Sequence, residues 1–230
     1  MALHPRGINH LAIGTRDIKR QISFFTDVLG CELKALFWMH GLPGAWHGFI
    51  ELSPECYLAF VQHNDNPDSI INGVTHAGTP TGNVSIGAMQ HLAMHLDTLD
   101  ELEEFRDRIR SSGVMVFGPI DHGFCHSIYF AGPEGLVLEL TAGVPLDPRA
   151  WIDPEVVQLA GISDAELARF TSPKRVPRTS ATAVPQPELN RSVPHFDFPD
   201  SVYEFLATAN DEQIAALMAD NEPPVKVGEK

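Results

Sequence analysis

The feature that most constrains this fold is an internal repeat. Residues 8–13 read INHLAI and residues 89–94 read MQHLAM. Each run has a histidine third, then an amphipathic run, then a glycine, then a further strand-like run. In the first copy Ile18, Ile22, Phe25 and Leu29 recur at i, i+4, i+7 and i+11, and in the second Leu99, Leu102, Phe105 and Ile109 do much the same. That spacing puts one apolar face on each helix. Thr98 and Glu101 predict a capping box on the second helix, and Gly30 and Gly113 stand where helices commonly end. Three strand-like runs follow each helix: LKALFWM, HGFIELS and CYLAFVQ in the first copy, MVFGPI, SIYFA and LVLELTA in the second. Each copy therefore reads β-α-β-β-β, over about residues 7–62 and 88–142. The expected class is α+β, with two such modules forming a curved mixed sheet. The polar segment 63–88 between them is long for a compact domain, as in a lid or a mobile loop.

The texture changes near Pro145. Residues 1–144 hold the two modules. Residues 145–230 form a C-terminal extension with helical patterns at 153–170 and 201–221, joined by the Pro-rich stretch SPKRVPRTSATAVPQPELNRSVPHFDFPD, which cannot build a sheet. Two readings of the extension stand open: a weakly ordered tail, or an arm whose apolar faces pack on the domain or on a partner subunit.

Charge excludes some functions. With 30 acidic against 16 basic residues the formal net charge is −14, opposite to what nucleic acid or an anionic membrane surface attracts. The three cysteines, Cys31, Cys56 and Cys125, are too few for a disulfide framework. MALHPRGINH has no apolar signal core, and no run approaches the roughly 18 apolar residues of a membrane span. The expectation is a cytoplasmic protein with reduced thiols.

Strand periodicity then groups the polar residues. Alternate side chains share a face, so Leu11 and Ile13 face the helix in the first copy while His10 and Ala12 point away. In the second copy Leu92 and Met94 face the helix, and His91, Ala93 and His95 point away. In LVLELT, Leu136, Leu138 and Leu140 form one face and Val137, Glu139 and Thr141 the other. A lone carboxylate in so apolar a strand is costly to bury unless paired or bound to a metal. His10, His91 and Glu139 lie on faces away from the helices. If both modules curl into one sheet, these residues converge as a two-histidine, one-carboxylate metal site with open positions for substrate, water or oxygen. The first-copy position matching Glu139 falls near Ala59, which cannot ligate, so three protein ligands are expected.

The paired modules, with NHLAI, QHLAMH and YFAGPEGLVLEL, resemble the vicinal oxygen chelate superfamily, which includes glyoxalase I, fosfomycin-resistance enzymes, methylmalonyl-CoA epimerase and extradiol ring-cleaving dioxygenases. The resemblance covers roughly residues 7–142, and its second half is most similar to the catalytic domain of the extradiol dioxygenases. It implies His10, His91 and Glu139 as iron ligands. It implies an active-site role for Tyr129, ten residues before the glutamate, and for His122, which is followed by Gly123. As proton donors these two would orient a bound catecholate and polarise an oxygen intermediate. The bland alternatives are a strand aromatic and a surface loop histidine. His95 and His126 are weaker candidates. One departure stands out: where those dioxygenases carry an acid–base histidine, this sequence has Cys56, a poor substitute near neutral pH and equally a small apolar strand residue. His40, His47, His63 and His76 lie on segments that could reach the site.

Three functions follow. The first is an Fe(II) extradiol-type dioxygenase acting on a catechol-like or other bidentate-chelating small molecule. The second is a glyoxalase- or epimerase-type lyase or isomerase using Mn, Zn, Ni or Co. The third is a small-molecule-binding resistance protein. The resemblance further implies a homodimer or higher homo-oligomer, because single-domain members usually pair.

Overall fold

A computed structural model describes residues 4–174 and 183–226. Part of the Pro-rich linker, residues 175–182, lies outside the described residues, as do residues 1–3 at the N-terminus. Each repeat copy folds as β-α-β-β-β. The first comprises β1 (His10–Thr15), α1 (Ile18–Ser23) running directly into a π turn (Phe24–Val28), β2 (Glu32–Trp38), β3 (Ala45–Ser53) and β4 (Cys56–His63). The second comprises β5 (Leu92–Leu96), α2 (Leu99–Ser111), β6 (Val116–Asp121), β7 (Cys125–Ala131) and β8 (Val137–Gly143).

Local chemistry sets the helix ends. The Thr98 hydroxyl accepts from the Glu101 N–H at 3.2 Å, and the Glu101 carboxylate accepts from the Thr98 N–H at 3.1 Å, completing the expected capping box. Gly30 and Gly113 adopt φ of +79° and +82°, the left-handed conformation that closes a helix. The π turn was not legible in the 3.6-residue spacing. Its wider winding lets adjacent rings reach different partners: Phe24 stacks on Phe130 of β7 (6.4 Å between centroids), and Phe25 packs on Phe60 of β4 (5.4 Å).

The strands form two separate four-stranded mixed sheets, ordered β1-β4-β3-β2 and β5-β8-β7-β6. β1 runs parallel to β4 and β5 parallel to β8, and the remaining pairs are antiparallel. A common core explains why the sheets stay apart. Ile50, Leu58 and Phe60 of the first sheet and Ile128, Phe130, Leu138 and Leu140 of the second join Phe25, Leu29, Leu102 and Ile109 of the helical segments in one buried cluster. Each helix packs on the sheet of its own module, α1 on β3 and β4 and α2 on β5 to β8, and burial of apolar surface in the shared cluster holds the two modules together. Leu99, grouped by spacing with the buried positions, is 40% exposed.

Glu134 ties the second module to the first. It sits in the turn before β8 at φ +53°, a left-handed conformation unusual for a side chain of its size. Its carboxylate accepts from the Thr15 hydroxyl, from the Arg16 N–H at 2.8 Å and from Nε2 of fully buried Gln21 at 2.8 Å. Burial alone would raise its pKa, but hydrogen bonds from Thr15, Gln21, Arg16 and Asp17 outweigh it and hold the carboxyl below its ordinary range. Glu134→Ala should therefore cost about 3 kcal/mol, because charged hydrogen bonds are lost and a buried donor is orphaned. The sign of the pH dependence follows from the lowered folded value. The carboxylate's contribution is complete above the ordinary glutamate pKa and disappears as pH falls through the depressed one. Urea melts of wild type and Glu134→Gln should differ at pH 7 and converge on acidification.

Helices α3 (Pro148–Trp151), α4 (Pro154–Leu159) and α5 (Asp164–Thr171) belong to the same compact unit as the modules, which spans residues 4–38 and 44–174. A second unit contains residues 39–43 and the described part of the tail, with α6 (Asp200–Thr208) and α7 (Asp211–Met218). Within 153–170 the helical run breaks around Gly161 into α4 and α5, and within 201–221 it breaks at Ala209–Asn210 into α6 and α7. Among the described residues no helix is long and apolar enough to cross a membrane.

Candidate metal centre

Sheet register places the site. In the first module Ala12 pairs with Ala59, and in the second Ala93 pairs with Glu139. Glu139 thus occupies the second-copy position of Ala59, so the repeat supplies one carboxylate. It is 6% exposed, on the strand face opposite Leu138 and Leu140. His91, two residues before Ala93, reaches it diagonally: His91 Nε2 lies 2.9 Å from Glu139 Oε2.

The other nitrogen of His91 is also committed. Gln90 donates from Nε2 to the carbonyls of Pro80 (2.9 Å) and Gly82 (3.1 Å), which leaves Gln90 Oε1 as the atom hydrogen-bonded at His91 Nδ1. On this network Nδ1 carries the proton. A ring carrying only that proton would turn its Nε2 lone pair toward the carboxylate. A lone pair and a carboxylate oxygen at 2.9 Å repel unless a proton or cation lies between them. One imidazole nitrogen and one buried carboxylate are donors that borderline divalent cations such as Fe(II), Mn(II) and Zn(II) accept. These two residues fit a divalent metal.

The hairpin from β6 to β7 adds two groups. Tyr129 pairs directly across the sheet with Glu139. Its hydroxyl lies 3.2 Å from His122 Nε2, and its ring meets those of His91 and His122 edge-on at 6.1 and 6.3 Å. Burial first, then the Glu139 carboxylate, push the Tyr129 phenol above its ordinary pKa, so it stays a proton donor at neutral pH. His122 is aimed by its turn: its N–H donates to the Cys125 carbonyl at 2.8 Å, and the Gly123 N–H donates to Asp121 Oδ1 at 2.7 Å. Gly123 is required there, since it has φ +83° and a Cβ would lie 2.9 Å from the Trp151 ring.

His91, Glu139, Tyr129 and His122 therefore come together, but His10 does not join them. It lies on the first sheet, on the face away from the common core, with Nδ1 2.9 Å from Asn9 Oδ1 and its ring edge-on to Phe49 at 5.6 Å. Among the described residues, no three His, Cys, Asp or Glu side chains form a group able to hold a metal ion. Packing the modules through their helix sides leaves the two candidate faces on separate sheets.

Sequence reading missed an aromatic surface around His10. Phe49 stacks with Phe37 at 6.1 Å and meets His47 at 4.9 Å and Tyr57 at 6.4 Å. The register Ala59–Phe49 and Val61–His47 puts these rings on the His10 face, a signal that strand parity could have given. Cys56 is not on that face. It lines a cavity of about 920 Å³ with Leu11, Leu58, Met94 and Leu140, on the helix side. The remaining histidines stand apart from the cluster: His95 pairs with Asp97 (3.5 Å), His126 with Asp121 (3.8 Å) and His63 with Asp65 (3.7 Å), and His76 bonds Thr75 (2.9 Å). His40 belongs to the other compact unit.

Comparison with known proteins agrees with this architecture. A family model described as glyoxalase/bleomycin resistance protein/dioxygenase superfamily matches residues 7–140. A curated relative, biphenyl-2,3-diol 1,2-dioxygenase 2 of Rhodococcus globerulus, is 29% identical over 89 residues, spanning 37% of this chain and 43% of the relative. Among solved structures, a glyoxylase/bleomycin resistance protein/dioxygenase domain from Frankia sp. EAN1pec aligns with TM-score 0.50 and 13% identity, over 61% of this chain and 100% of that one. A mutant of the fosfomycin resistance protein FosX from Listeria monocytogenes, complexed with Mn(II) and a dihydroxypropylphosphonic acid, aligns with TM-score 0.43 and 18% identity, over 64% of this chain and 99% of that one.

Proposed function

The chain belongs to the glyoxalase/bleomycin resistance protein/dioxygenase superfamily, and on that premise we propose that it is a divalent-metal-dependent enzyme: an Fe(II) extradiol-type dioxygenase acting on a catechol-like or other small molecule that chelates through two adjacent oxygens. The observation that carries this reading is the pairing of His91 with buried Glu139 beside the Tyr129–His122 hydrogen bond. The dioxygenase relative, named for a biphenyl-2,3-diol, supports it.

His91 and Glu139 hold the metal. His10 is the third ligand and comes from a second copy of the chain, since one chain gathers only two of the three donors. A homodimer that sets the His10 face of one chain over the Glu139 face of another brings Phe49 opposite the metal, as part of a wall for a planar ring. When bound, the metal supplies Lewis-acid polarisation of the substrate oxygens and, as iron, a redox-capable centre. Tyr129 donates its one O–H to a substrate oxygen, and His122 donates from Nε2–H to the phenol oxygen and fixes its orientation. With Cys56 on the helix side, the proton-transfer role falls to this pair.

Metal analysis of anaerobically purified protein, with oxygen uptake on a panel of catechols, tests the reading. Iron with substrate-dependent uptake is expected. Stably bound Zn, Ni or Mn with no uptake would replace it with the glyoxalase- or epimerase-type reaction, and no metal binding at all would leave a small-molecule-binding protein.

A further inference from the structure

A side-chain amide directly precedes each repeat histidine, and in both copies it bonds that histidine's ring. Asn9 Oδ1 lies 2.9 Å from His10 Nδ1, and Gln90 Oε1 is hydrogen-bonded at His91 Nδ1. Adjacent residues within a strand point to opposite faces and do not meet. Here the amide stands just before its strand begins, at His10 for β1 and at Leu92 after His91 for β5, so its side chain can curl onto the neighbouring ring. Gln90 is the better held of the two. Its N–H groups go to Pro80 and Gly82 in the long segment between the modules, which fixes which end of the amide faces the histidine.

We infer that Gln90 is a positioning residue: it accepts the Nδ1 proton of His91, sets the ring's tautomer and presents the Nε2 lone pair to a cation held with Glu139. Partners on the far nitrogen of a metal-binding histidine orient the ring and raise its basicity, and their loss typically costs about 10–100-fold in metal affinity. The same contacts make Gln90 the link between the Pro80–Gly82 stretch and the metal centre. The inference rests on the proposed metal site and names what aims it.

Two substitutions separate the acceptor from the tethers. Gln90→Glu and Gln90→Leu both lose the N–H groups that hold Pro80 and Gly82, and only Gln90→Glu keeps an acceptor for Nδ1. Zinc(II) binding by titration calorimetry should weaken about 10–100-fold in Gln90→Leu and stay within about 3-fold of wild type, or tighten, in Gln90→Glu. In the zinc-loaded protein the hydrogen-bonded Nδ1–H of His91 should give a far-downfield proton resonance coupled to ¹⁵N. It should persist in Gln90→Glu and be lost to exchange in Gln90→Leu. Wild-type affinity and an unchanged resonance in Gln90→Leu would overturn the inference while leaving the metal site in place. Equal weakening of both variants would also overturn it, by assigning the effect to the tethers. No zinc binding by the wild-type chain would overturn the metal reading and this inference together.

Discussion

His91→Ala should abolish tight divalent-cation binding, with a loss larger than the about 10–100-fold typical of second-layer changes. His91 supplies the nitrogen nearest the buried carboxylate, at 2.9 Å. Without it Glu139 is left beside its cross-strand neighbour Tyr129, whose hydroxyl already lies beside His122. One carboxylate is a weak holder of a borderline cation compared with a carboxylate and an imidazole together. Calorimetric titration with zinc(II), or anaerobically with iron(II), gives the comparison. His95→Ala is the control: His95 shares a strand face with Ala93, is exposed and pairs with Asp97, so its loss should leave affinity unchanged. Full metal occupancy in His91→Ala would show that the ligand assignment is wrong.

Mixing two inactive variants should restore metal binding. Chains carrying His10→Ala lack the donor proposed to cross to the partner, and chains carrying Glu139→Ala lack the carboxylate. Each alone should bind weakly. In a heterodimer one site receives His10 from the Glu139→Ala chain and His91 with Glu139 from the His10→Ala chain, while the other site loses both. Random reassociation of equal amounts into symmetric dimers should then restore about a quarter of wild-type site capacity. The readout is metal bound per chain after co-refolding, with analytical ultracentrifugation to verify the dimer. Recovery at the level of the separate variants would mean that His10 does not act across chains.

Much of the fold was legible locally. The capping box at Thr98 and Glu101, the helix-ending Gly30 and Gly113 and the buried stripe Ile18, Phe25, Leu29 depend on contacts a few residues apart. Strand parity likewise put His91 and Glu139 on one face, and the repeat located Ala59 opposite Ala12, where no ligand can form. The π turn escaped because Phe24 and Phe25 satisfy a helical pattern equally well in either winding, and Phe130 of a distant strand selects one. Gln90 escaped although NH and QH were both in view, since an amide beside a histidine says nothing until Pro80 and Gly82 orient it.

The sequence by itself determined two β-α-β-β-β modules and the faces on which the polar residues of the candidate site lie. The tertiary structure alone decided that the modules pack through their helix sides into one core while keeping separate sheets. It also decided that His91, Glu139, Tyr129 and His122 meet, whereas His10 faces elsewhere, and that Cys56 lines an apolar cavity on the helix side. The physical reason is that side-chain alternation is a short-range property of the backbone. How two similar modules stack depends on apolar surfaces far apart in the chain, and the repeat's symmetry leaves more than one stacking compatible with the same pattern.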